Sequence, residues 1–286
     1  ITQDENWQNE LTQILYRPFD IKWVFYNKNI IERPRTEVMR NMFGENIGLI
    51  ATRFVFKKQF GFHHAFITKN LLDINQLQSP GTAQLFPLYL YPNIDLNHLF
   101  SGEHTAIEKK PNIKQEVFNE LQANFQKDVS PEEIFYYIYA VLYSNTYREK
   151  YKEFLKIDFP RIPFTKDYEQ FIELGKLGHR LADIHLLKST ELDTTIAKYP
   201  ESGTGKVEKV VYEAGNVWIN KHQYFSNVPQ EVWQYHIGGY QVCDKWLKDR
   251  KGSKLSLDEI KTYCKIATAL AKTMEIQGEI DEAYEF

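Results

Sequence analysis

Residues 158–164 read Asp-Phe-Pro-Arg-Ile-Pro-Phe. Pro160 and Pro163 each fix φ and remove a backbone donor, so the stretch is neither helix nor central strand. Each proline also pushes the residue before it, Phe159 and Ile162, towards extended geometry. The stretch lies between two strongly helical segments. SPEEIFYYIYAVLYSNTYREKYKEFLK (130–156) precedes it and TKDYEQFIELGKLGHRLADIHLL (165–187) follows it. Ser130-Pro131-Glu132-Glu133 offers an N-cap, a proline in the first turn and a capping-box glutamate. Ile134, Phe135, Ile138, Val141 and Leu142 are spaced for one helical face. Thr165 is placed to cap the helix after the link, with Phe171, Leu174, Leu177, Leu181 and Ile184 along its apolar side. The expected centre is therefore a helix, a rigid extended link and a second helix.

Outward from that centre the pattern changes. Residues 1–15 read as an amphipathic helix with Trp7, Leu11, Ile14 and Leu15 on one side, broken at 16–20. Residues 21–26, 47–56, 65–68 and 83–91 read as strands from their β-branched and aromatic content. Ile30-Ile31 is placed to pair back on the first of these, and Thr36 to cap a short helix through Met42. Pro87 demotes the last strand to an edge or a bulge. Residues 92–115 are polar and irregular, and 188–205 read as a linker or long loop. A hairpin over 207–219, a helix over 240–250 and a final helix opened by the capping box at Ser256 complete the chain. The expected class is α+β. A strand-rich part (1–110) precedes the helical centre (111–190) and a linker, hairpin and C-terminal helices (191–286), the whole forming one compact module.

The chain has 286 residues, of which 43% are hydrophobic and 15% aromatic. No apolar run approaches the roughly 18 residues needed to span a bilayer, so no membrane association is expected. Cys243 and Cys264 lack metal-ligand spacing and suit a reducing cytoplasm. The first residue is Ile1, with no signal peptide, and the sequence reads as a piece of a longer protein. Net charge is only −3, but residues 16–70 hold ten Lys/Arg against four acids. That local +6 leaves about −9 for the remainder, an asymmetry that suits an anionic partner. A solvated basic face gives the same count.

Catalytic motifs are weak. Gly203-Thr204-Gly205-Lys206 lacks the first glycine of a phosphate loop, and Val207 replaces the magnesium-binding hydroxyl, so the stretch reads as a flexible linker. Asp95 with Glu108-Lys109-Lys110 resembles a nuclease triad only loosely, because the acids lie in a polar irregular stretch. His98 and His104 lack tight metal spacing, and His179 and His185 sit six apart on one helix. An adenine methyltransferase holds its target amine with an Asn/Asp-Pro-Pro-aromatic loop; the chain contains no Pro-Pro.

Eight stretches carry a family resemblance. They are YRPFDIKWVFY (16–26), ERPRTEVMRNM (32–42), NIGLIATRF (46–54), FPLYLYP (86–92), residues 133–164, LGHRLADIHLL (177–187), VWINKHQYF (217–225) and residues 232–256. Together they resemble the C-terminal target-recognition region of type ISP restriction–modification enzymes, with Lys22 where that family usually has Arg. These are single polypeptides that join a nuclease, a helicase-like ATPase, an N6-adenine methyltransferase and a recognition domain. The resemblance implies sequence-specific binding of double-stranded DNA that presents an adenine to an upstream methyltransferase domain. It implies no catalysis and no cofactor in this piece; S-adenosylmethionine, ATP and magnesium belong to upstream domains. The candidate DNA-binding residues are Arg17, Lys22, Arg33, Arg35, Arg40, Arg53, Lys57, Lys58, Gln59, His63, His64 and Lys69. Arg17 is equally suited to an ion pair with Asp20, and Arg161 to anchoring the centre or touching a phosphate. Trp218, Tyr224, Trp233 and Trp246 read as core. Two other readings stand beside this one: a stand-alone nuclease using Asp95, Glu108 and Lys110, and a helical protein-interaction module with an exposed tyrosine-rich helix.

Overall fold

The computed structural model describes residues 7–27, 29–56, 61–81, 83–92 and 108–284. Asp95, His98, His104, Lys57, Lys58 and Gln59 lie outside them. The N-terminal third holds β1 (Leu11–Arg17), β2 (Asp20–Phe25), α1 (Thr36–Met39), β3 (Gly48–Thr52), β4 (Ala65–Thr68), β5 (Leu71–Leu72), β6 (Ala83–Pro87) and β7 (Tyr89–Leu90). Two three-stranded sheets result, ordered β2-β1-β5 and β4-β3-β6. The helix expected over 1–15 is corrected here. Among the described residues of that range only Trp7–Glu10 is helical, as a 3-10 turn, and β1 pairs antiparallel with β2 from Leu11↔Phe25 to Leu15↔Ile21. Leu11, Ile14 and Leu15 fit a helical period, but pairing on both edges of β1 overrides it. Ile30 and Ile31 close a turn back to Asn27 and make no strand. The strand expected over 47–56 ends at Thr52, and that over 83–91 is split at Leu88, whose amide bonds to the Ile47 carbonyl instead. Pro87 does lie on an edge strand.

The centre is helical. It comprises β8 (Lys110–Pro111), paired with β7, then α2 (Gln115–Phe125), α3 (Pro131–Tyr143), α4 (Asn145–Lys150), α5 (Lys152–Leu155) and α6 (Tyr168–His185). The capping box at Ser130 forms in full. The run 130–156 is broken at Ser144, whose hydroxyl caps α4 by accepting from the Tyr147 amide. Asp167, rather than Thr165, caps α6. Between them runs the proline link, and the tyrosines of α3 and α4 serve it. Tyr137 Oη donates to the Pro163 carbonyl at 2.8 Å and accepts from the Thr165 amide at 3.0 Å. Tyr147 Oη donates to the Arg161 carbonyl at 2.9 Å. Backbone groups that no ladder satisfies thus find side-chain partners. Helices α3 and α6 touch at Gly178, where an added Cβ would lie 1.9 Å from the Tyr136 carbonyl oxygen.

The C-terminal third carries β9 (Val211–Glu213), β10 (Asn216–Trp218), β11 (Tyr224–Phe225), α7 (Gln230–Gln234), β12 (His236–Ile237), β13 (Tyr240–Gln241), α8 (Val242–Lys248) and α9 (Leu257–Ala283). The helix expected from Tyr240 starts two residues later, because Gly238-Gly239 makes the turn of the β12–β13 hairpin. That turn docks on the N-terminal third. Gly238 N donates to the His63 carbonyl at 2.6 Å and Gly239 N to the Leu77 carbonyl at 2.7 Å. Buried residues of all three parts, from Leu15 through Tyr139 to Ile280, make one hydrophobic cluster. The architecture is α+β.

Candidate nucleic-acid interface

The basic residues of the N-terminal third fall into three structural classes. Some are engaged internally. Arg17 Nη1 reaches Asp73 Oδ1 at 3.0 Å, not Asp20, and its guanidinium stacks over Tyr16 and Tyr240. His64 is buried, and burial lowers its pKa to about 4, leaving a neutral ring. His63 is half-buried; its carbonyl holds Gly238, and its Nδ1 lies 3.4 Å from Arg148 Nη1. Arg40 is half-buried, with Nε donating to the Glu37 carbonyl.

Others are exposed on defined scaffolds. Arg33 and Arg35 flank Pro34, and both sit in the left-handed region, at φ 57° and 52°. A non-glycine residue held there costs on the order of 1 kcal/mol or more and needs support from its surroundings. The support comes from Tyr26, whose hydroxyl donates to the Pro34 carbonyl and whose ring packs edge-on against Phe43. Both arginine side chains are exposed, so the backbone is fixed while the cations face solvent. Lys22 on the edge strand β2 lies over the Tyr16 ring, 3.9 Å from Asp20 Oδ2. Lys69 is exposed at the end of β4.

Arg53 forms the third class. It follows β3 and reaches across to the proline link, where Nε donates to Asp158 Oδ1 at 3.1 Å. The Phe159 amide, assisted by the Arg53 guanidinium, holds the Asp158 carboxyl below the usual carboxylate range. Arg161 lies exposed on the same link. Beside it opens an apolar cleft of about 600 Å³, lined by Tyr147, Tyr151, Phe154, Ile157 and Phe159 among others. Sequence reading missed the aromatic character of this surface. Phe54, Phe56, Phe86 and Phe154 are all exposed, and so is Trp23 on β2 at 69%. A signal existed for Phe86. In Ala83-Gln84-Leu85-Phe86-Pro87 the odd positions are buried and the even ones exposed, so a period-2 reading puts Phe86 beside Gln84 on the outer face. Trp23 gave no such signal, since Ile21, Lys22 and Trp23 are exposed in succession and β2 lacks the period-2 alternation.

The described residues contain no group of three or more His, Cys, Asp or Glu placed to hold a metal. Burial pushes the Cys243 thiol up to about 12 and Cys264 up to about 11, so neither is a nucleophile at neutral pH. His185 is a core residue between Tyr139 and Thr273, and His179 stacks on Tyr136. Val141 and Leu142 are buried and Ile138 packs against the core, which removes the motive for an exposed interaction helix. Trp246 is buried, and Trp233 stacks on Tyr212.

A family match decides which protein class carries this surface. The Type ISP C-terminal specificity domain matches residues 1–279. The chain belongs to that family. Solved structures agree in fold with this specificity domain. The ATP-dependent Type ISP restriction–modification enzyme LlaBIII bound to DNA superposes with a TM-score of 0.72 at 25% identity, over 95% of this chain and 18% of its own. A DrdV–DNA complex gives 0.74 at 22% identity over 95% of this chain and 28% of its own. A nuclease-deletion mutant of the Type ISP enzyme LlaGI with a DNA substrate mimic gives 0.68 at 20%, over 95% and 25%. The specificity domain thus spans between 18% and 28% of the chains it superposes on. No curated protein matches it. No helix among its described residues is long and apolar enough to cross a membrane.

Proposed function

We propose that this specificity domain recognises a base sequence in double-stranded DNA and positions a target adenine for N6-methylation by a methyltransferase domain upstream in the same polypeptide. The family membership over residues 1–279 carries the reading. In it the domain is not itself catalytic, S-adenosylmethionine, ATP and magnesium are bound by other domains, and the protein works in the cytoplasm. The geometry supports a division of labour. Arg33 and Arg35, exposed on a supported left-handed backbone, suit base-edge readout, which uses arginine side chains presented to the groove. Lys22, Arg53 and Lys69 suit phosphate contacts, with Lys57, Lys58 and Gln59 as further candidates. Arg17 and His64 are engaged in the fold and are left out of this assignment.

The test is selection of the full-length protein on a randomised duplex pool, followed by sequencing of the retained fraction. An enriched adenine-containing motif is expected. Arg33→Glu or Arg35→Glu should relax preference at single positions, each worth about 1–3 kcal/mol. Arg53→Glu should weaken binding equally across sequences. A folded, methylation-competent protein that enriches nothing would place specificity outside this domain.

A further inference from the structure

The segment 201–206, whose Gly-Thr-Gly-Lys run reads from sequence as a flexible linker, is instead a built loop. Gln223 is buried beneath it. Its Oε1 accepts from the Gly205 amide at 2.9 Å and from Asn220 Nδ2 at 3.0 Å, and its Nε2 donates to the Glu201 carbonyl at 3.3 Å. Asn220 Nδ2 also donates to the Lys206 carbonyl at 3.0 Å. On its other side the loop pairs with the turn after α8. Val207 N donates to the Ser253 carbonyl, Gly252 N to the Val207 carbonyl and Leu255 N to the Gly205 carbonyl, at 2.8–2.9 Å. This ladder sets Lys206 directly opposite Lys254 in an antiparallel bridge.

Like charges directly opposed across a ladder destabilise it. The neighbouring cations are neutralised: Lys245 pairs with Asp249, Lys248 with Asp244, and Arg250 with Asp20 and Glu259. Lys206 and Lys254, both exposed, have no ion pair among the described residues, and neither do Lys221 and Lys251 close by in the chain. The fold therefore holds the backbones of two opposed lysines in register and leaves their charge to an external anion. Arg250 bonds to Asp20 at the start of β2, which brings the 251–254 turn to the side of the molecule that carries Lys22.

The geometry points to Lys206 and Lys254 as a second phosphate clamp on the duplex, which continues the contact surface of the N-terminal third onto the C-terminal hairpin. The proposal rests on the DNA-recognition reading above. A phosphodiester fits because the pair offers exposed point charges, which contribute affinity and register without sequence preference.

The experiment is duplex binding by the full-length protein, measured by fluorescence anisotropy over a series of KCl concentrations, for the wild type and for Lys206→Gln/Lys254→Gln. Each phosphate contact adds about −0.9 to the slope of log K on log salt. The double variant should flatten that slope by about 1.8 and lose affinity by the same factor on cognate and scrambled duplexes. Its melting temperature should not fall, because the exchange removes a repulsion. An unchanged slope in a wild type that binds overturns this proposal alone, as does a loss confined to the cognate sequence. A folded wild type that binds no duplex at any salt overturns the recognition reading, and this proposal with it.

Discussion

Asp20 is 1% exposed, and its carboxylate is held by Arg250 Nη2 at 2.8 Å, a residue 230 positions away. Arg250 is itself half-buried against Trp246, with its guanidinium 3.4 Å from the ring centroid, and shared with Glu259. Removing one member of a buried pair leaves an uncompensated charge in a poorly solvated site, at a cost of about 3–5 kcal/mol. Arg250→Met should lower stability by that order in urea denaturation, and Asp20→Asn in the same chain should recover part of it. If Arg250→Met alone costs less than about 1 kcal/mol, Lys22 at 3.9 Å is a sufficient counter-ion. The Arg53–Asp158 pair is a contrast, since both side chains are about half exposed. Arg53→Ala should change stability by less than about 1 kcal/mol, so any loss of DNA binding in that variant reports on binding. Sequence alone suggested Asp20 as the partner of Arg17 because the two lie three residues apart. The β1–β2 turn instead tucks Asp20 towards Arg250 and leaves Arg17 to Asp73, a choice that no local spacing encodes.

Helices α3 and α6 cross at a glycine. An alanine at 178 would put Cβ 1.9 Å from the Tyr136 carbonyl oxygen and 3.2 Å from the Ala140 amide, both backbone atoms with little room to move. The helices must separate to admit it, so Gly178→Ala should destabilise by about 1–3 kcal/mol or more, against its favourable effect in an isolated helix. Thermal unfolding checks this, and a stabilised variant would mean that the crossing is looser than described. The same helices show which features sequence can disclose. The capping boxes at Ser130 and Ser256 were legible because every atom that forms them lies within four residues. The break at Ser144 was only half legible. The serine is a capping residue, but its hydroxyl is fixed by Asp281 from the far end of α9. The strand at 11–17 was illegible for a related reason. Its partners, β2 and β5, are set by pairing, and its apolar spacing suits either state.

The whole molecule rests on one core that buries neutral imidazole. His185 is stacked on Phe66 and hydrogen-bonded on both ring nitrogens, to Tyr139 Oη and to Thr273 Oγ1 at 2.8 Å. Burial, reinforced by the positive field of Arg148, lowers its pKa to about 3. Burial likewise brings His64, beneath the N-terminal sheets, to about 4. In the unfolded chain both rings protonate near pH 6.5. Below that pH the unfolded state binds up to two protons that the folded state does not, so stability falls as the pH drops from about 6.5. The loss continues until the folded rings themselves protonate, near 4 and then 3. Each histidine adds a slope of about 1.4 kcal/mol per pH unit in that window. Between pH 6 and 5 the carboxylates of both states remain largely ionised, so the histidines dominate there. Urea denaturation at pH 7, 6 and 5 should show a loss of about 1.4 kcal/mol over the first step and about 2.4 kcal/mol over the second. His64→Gln should remove about half of that dependence whatever it does to stability at neutral pH. A wild-type stability that is flat between pH 6 and 5 would show that the folded protein admits a proton to its core, and an undiminished slope in the double variant His64→Gln/His185→Gln would assign the dependence to other groups.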